Sequence, residues 1–157
     1  MFWNSFLGKS ILTFLLSMVP VIELRGALPI ATEAYHLNFW YSMVLCIIGN
    51  LVPVPFIIIF IKKIFAWMRK VSGKLDALVT KLEKRAENKS DVVQKYAFWG
   101  LFILVAIPLP GTGAWTGALV AAMLDMKLRK AFPAIAMGVV GAAVIVAIVT
   151  KGIVFLV

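Results

Sequence analysis

The chain has 157 residues, of which 62% are hydrophobic, and a mean hydropathy of +0.99. Soluble domains hold about 45–50% apolar residues, so an ordinary soluble domain is excluded and an integral membrane protein is predicted. The net charge of +9 is concentrated: ten of the sixteen Lys and Arg lie within residues 62–95 beside four acids, without the interleaved aromatics of a nucleic-acid surface.

In chain order, residues 10–22 form an apolar run too short to cross a bilayer unless it continues through Glu23 and Arg25. No small-residue cleavage site follows it, so it reads as part of the fold and not as a leader. The segment VPVIELRGALPIA (19–31) then sets two charges between two prolines inside oily sequence. Residues 37–61 carry no charge and are long enough to cross about 30 Å of hydrocarbon at roughly 1.5 Å per residue. Pro53 and Pro55 predict a kink there. Within 62–95, Val71, Leu75, Leu78 and Leu82 recur at helical spacing after Trp67. They predict a basic amphipathic helix resting on cytoplasmic headgroups, with partner binding as the second reading.

Residues 97–124 are also uncharged but are interrupted by PLPGTG (108–113). Each flanking piece would reach about 16 Å as helix, half a bilayer, which favours a re-entrant hairpin over a kinked crossing. Residues 131–150 form the second uncharged span, where Gly138 and Gly141 allow close packing. Cys46 is the lone cysteine, so neither an intrachain disulfide nor a metal site is expected.

The basic segment separates two halves with the same order: apolar run, broken motif, apolar run, polar turn, long span. Phe14 to Pro20 aligns with Phe102 to Pro108, Gly26-Ala27 with Gly113-Ala114, and Gly49 with Gly138. Several matches in one order predict an internal repeat. If both broken segments are re-entrant, 13 of the 16 positive charges fall on one side, as the positive-inside rule requires. Both termini are then outside, and the halves are inserted upside down relative to one another. The expected fold is all-α and integral to the membrane: two inverted repeats, each a re-entrant helical hairpin plus a transmembrane helix. The first repeat is 1–66 (hairpin about 5–36, span about 37–66), the cytoplasmic helix is 67–95, and the second repeat is 96–157 (hairpin about 96–125, span about 131–157).

A charge at membrane depth costs at least about 2.5–3.5 kcal/mol on insertion scales, which marks Glu23 and Arg25 as functional candidates. Their spacing suits an extended tip, where i and i+2 point the same way. Gly26 permits close approach, and Pro29 suits the first turn of the following half-helix. Glu23 is expected to carry a proton and Arg25 to grip an anion; the bland alternative is a pair that only holds the tip. In PLPGTGAWTGA (108–118), Pro108, Pro110, Gly111, Thr112, Gly113, Trp115 and Thr116 offer backbone N–H groups, hydroxyls and an aromatic face, or simply a tight turn and a packing surface. Asn50 is a second-rank candidate. No Ser/His/Asp set, HExxH or paired carboxylates point to an enzyme, and no cofactor is implied.

ELRGALP (23–29) together with PLPGTGAWTGA (108–118) resembles the small multidrug export protein family, which is thought to be related to the DedA superfamily. The resemblance covers nearly the whole chain. It implies facing re-entrant hairpins, proton-linked transport and, for some superfamily members, phosphorylated lipid carriers such as undecaprenyl phosphate. The second hairpin here lacks the acids and arginines associated with DedA proteins. The expectation is a proton-coupled transporter of an amphipathic or anionic substrate in a bacterial or archaeal cytoplasmic membrane, forming a homodimer because two spans make a thin wall. The rivals are a polyprenyl-phosphate flippase, an exporter of amphipathic cations relying on Glu23 and Trp115, and a non-transporting factor that recruits partners through its basic loop.

Overall fold

The computed structural model describes residues 5–87, 98–107, 109 and 112–156; among these the chain is helical, without strands. Helix α1 (Phe6–Met18) starts at Ser5, whose hydroxyl accepts the Gly8 N–H at 3.2 Å. Its Ser10, Thr13 and Ser17 share one buried face and bond back to the carbonyls of Phe6, Lys9 and Phe14. Phe6, Leu7, Ile11 and Leu15 face outward. Small polar groups inside and large apolar groups outside are the reverse of a soluble helix and suit a lipid surround.

Helix α2 (Glu23–Pro29) follows a four-residue break. Pro29 sits at its last position, where the sequence places it in the first turn of a half-helix. Because Pro29 has no N–H to bond the carbonyl one turn back, the helix relaxes into a π-helical turn (Ile30–Ala34). That turn closes with the Tyr35 N–H donating to the Ile30 carbonyl at 3.1 Å. The Lys9 ammonium meets the Tyr35 carbonyl at 3.1 Å, so this arm returns to the level where α1 began.

Helix α3 (Phe39–Leu51) is capped by the Asn38 side chain, and α4 (Pro53–Val71) continues it. The prolines interrupt the helix at Val52, which keeps helical dihedrals, so residues 39–71 form a 33-residue apolar rod. At about 1.5 Å per residue this rod is longer than the roughly 30 Å hydrocarbon of a bilayer. Helix α5 spans Gly73–Glu87, α6 Phe98–Ala106, α7 Ala114–Met123 and α8 Leu128–Leu156. Residues 128–150 are the second stretch long and apolar enough to cross a membrane. Gly117 in α7 faces Leu101 and Val105 of α6, so the chain doubles back at the second break too. Helix α1 packs on α3, α6 on α8 and α4 on α7. The Lys62–Asp125 ion pair (2.6 Å) sets the turn before α8 at the basic end of α4.

Helix α5 departs from the expected 67–95. Trp67 and Val71 finish α4, extended Ser72 breaks the chain, and residues 88–95 lie outside the described set. The helix packs on α4 and α7 with Val79 fully buried, while Leu78 is 46% exposed. The inward stripe is thus Leu75, Val79 and Leu82, rotated from the predicted one. Arg69 of α4 fixes that rotation by pairing with Asp76 (3.8 Å) and Glu83, which lie on one side of α5.

Candidate functional site

The two breaks meet, and each charge of the first lies at a helix end of the second. Arg25 lies in the opening turn of α2 and aims its guanidinium at the C-terminal end of α6. One terminal nitrogen donates to the carbonyls of Leu109 (2.9 Å) and Thr112 (3.4 Å). The other donates to those of Val105 (3.3 Å) and Ile107 (3.1 Å). The Thr112 hydroxyl lies 3.3 Å from both nitrogens and faces the Ile107 and Leu109 carbonyls. A cation at carbonyls left without helical partners is the favourable end of the helix dipole.

Glu23 does the opposite. Its carboxylate lies at the start of α7, where the Trp115 N–H donates to it at 3.5 Å. Gly113 leaves room for it: a Cβ there would sit 2.0 Å from one carboxylate oxygen and 2.6 Å from the other. Among the described residues, Glu23 and Arg25 form no ion pair with each other within 4.0 Å; each turns to a different end of the second break. The extended tip expected from the sequence is absent, because Glu23 is itself the first residue of α2, with φ 48°.

These groups border a cavity of about 760 Å³. Glu23, Arg25, Thr112, Trp115 and Thr116 form its polar side. Ile57, Ile61 and Phe65 of α4 give an apolar wall, and Leu82 and Arg85 of α5 complete it. The Trp115 indole N–H donates to the Met18 carbonyl (2.9 Å), tying α7 to the end of α1. Gly26 and Pro29 are not among the described residues lining the cavity; the nearest neighbour of a Cβ on Gly26 is the Ile22 side chain, at 2.8 Å. Pro108, Pro110 and Gly111 lie outside the described residues. Asn50 is buried and borders a smaller cavity shared with Glu23. The α4 wall, Leu82 and Arg85 escaped the sequence reading. For Leu82 the one signal is the amphipathic stripe of α5, which does not say what the stripe covers.

Two apolar helices of crossing length and a charged, largely apolar cavity between two helix breaks suit a helical membrane protein. Residues 23–145 match the model of the family described as "Putative small multi-drug export protein", and the chain belongs to that family. No curated protein and no solved structure matches the chain. The family match is to an export class and not to an enzyme class, and with the apolar helices it gives the protein a membrane location.

Proposed function

We propose that the protein is a proton-coupled exporter of amphipathic compounds. The substrate's apolar body occupies the 760 Å³ cavity, and Glu23 exchanges a proton for its cationic end. The observation that carries this reading is a carboxylate 6% exposed, on the border of an apolar cavity and accepting one long backbone hydrogen bond. Trp115 and Phe65 offer aromatic surface to a flat or cationic substrate. Arg25, engaged with four carbonyls, acts as the clamp that holds the second break.

In this reading both breaks are tips of re-entrant hairpins, and the halves 1–66 and 96–157 are inverted repeats. Two correspondences support it. A Cβ on Gly49 would lie 2.7 Å from the Phe14 carbonyl, and one on Gly138 would lie 3.0 Å from the Phe102 carbonyl, the pairs aligned in the two halves. His36 and Asp125, in the turns before α3 and α8, have φ 54° and 53°. A phosphorylated lipid is the second reading, favoured by Arg85, which lines the cavity without an ion-pair partner among the described residues.

The test is uptake by proteoliposomes under an imposed pH gradient, with ethidium in one arm and a labelled polyprenyl phosphate in the other. Gradient-driven ethidium movement that Glu23→Gln abolishes is expected. Phosphate-lipid movement that Arg85→Gln abolishes would favour the second reading. Ethidium movement unchanged in Glu23→Gln would end the first.

A further inference from the structure

A second cavity shares Glu23 with the large one but holds only about 10 Å³, close to the room a single water needs. Leu24, Val105, Ala114 and Val139 make its walls apolar, and Asn50 of α3 supplies the one uncharged polar side chain among the described lining residues. Asn50 is 4% exposed, and its side-chain oxygen is buried without a hydrogen-bond partner. Glu23 adds a carboxylate whose one hydrogen bond, from the Trp115 N–H, is 3.5 Å long. Arg25 also borders the space, but both its terminal nitrogens are turned to the carbonyls of the second break. Buried oxygens in native folds have partners. Two acceptors, one of them charged, border a space of one small guest, so the missing partner donates hydrogen bonds or carries positive charge.

We infer that Glu23 and Asn50 hold one small monovalent cation, a hydronium or a sodium ion, in this cavity. Both ions make the same demand: oxygen acceptors, one of them charged, around a space of one small guest. Among the described residues lining either cavity, the charged groups are Glu23, Arg25 and Arg85, so no second carboxylate competes for the ion. Its role as the coupling ion rests on the transport reading above; the site itself does not.

The test is therefore a labelling reaction and not transport. Dicyclohexylcarbodiimide, an apolar reagent for protonated buried carboxyls, is added to the whole protein in vesicles. Modification of the Glu23 peptide is followed by mass spectrometry against pH, and at fixed pH in sodium chloride or choline chloride. A sodium site gives labelling slowed several-fold by sodium chloride alone. A hydronium site gives labelling that falls with rising pH and ignores sodium. In either case Asn50→Leu and the smaller change Asn50→Ala lose the sodium protection or move the pH midpoint downward, because the loaded site has lost an acceptor. Asn50→Asp keeps an oxygen and adds a second carboxylate beside Glu23, so it retains the loading and moves the pH midpoint upward. Cys46, fully buried in α3, stays unreactive to maleimide in each variant that folds. Native and Asn50-substituted proteins with the same pH profile and no sodium effect would overturn the inference. A chain that labels as expected yet moves no amphipathic substrate keeps the ion site and loses the transport reading.

Discussion

Glu23 and Gly113 are two residues from opposite halves that make each other's conformation necessary. Glu23 occupies the left-handed region at φ 48°, where a non-glycine residue is strained. Gly113 has φ 131°, a backbone open to glycine, and its missing side chain is the space the carboxylate fills. Gly113→Ala therefore meets a backbone penalty and a collision together, while Gly26→Ala meets the Ile22 Cγ2 methyl at 2.8 Å without a backbone penalty. The expected result is a loss of more than about 1 kcal/mol for Gly113→Ala, seen as a much lower Tm in detergent, with a smaller drop for Gly26→Ala. Equal melting of the two variants would contradict this account.

At the scale of helices, the first break supplies charges that the second lacks. Residues 108–118 contain no ionisable group, yet α6 ends on Arg25 and α7 begins on Glu23. The planar fork of Arg25 reaches several carbonyls at once, which an ammonium cannot do. Arg25→Lys is expected to cost about 1.5–3 kcal/mol by denaturant unfolding despite the kept charge. Thr112→Val should cost less, and little more in the Arg25→Lys background, because the two changes break one network.

Much of this was legible beforehand. PLPGTG marked the second break and the uncharged runs marked both long helices, whereas ELRGALP is helix α2 and the first break is the four residues before it. The partnership between the two motifs was not legible, since Arg25 and Leu109 are 84 residues apart and nothing in either motif names its counterpart. The tip geometry differs from the expected one for a local reason. The i, i+2 spacing suggested a side-by-side pair, whereas the helix starts at Glu23 and sends the two side chains to different helix ends. The rotation of α5 was also hidden, because Leu75, Val79 and Leu82 form as regular a stripe as the one containing Leu78.

For the whole molecule, the charge distribution and the Lys62–Asp125 pair give one testable orientation. The exposed pair itself adds little stability; its value is positional. Single cysteines at exposed Asn38 and Lys74 are expected to divide cleanly, with Asn38→Cys labelled in intact cells by an impermeant maleimide and Lys74→Cys only after permeabilisation. The buried native Cys46 should stay silent in both experiments. Labelling of both positions from outside would reject the two-crossing topology.

Helix α5 gives this orientation an evolutionary price. Its 15 residues carry part of the positive charge on which the proposed orientation rests, and Leu82 and Arg85 of the same helix form a wall of the cavity. In the proposed reading, address and recognition are written on one strip of sequence. A lineage that broadens its cargo by losing Arg85 also weakens its own address, so changes at this wall need compensating charge elsewhere in residues 62–95.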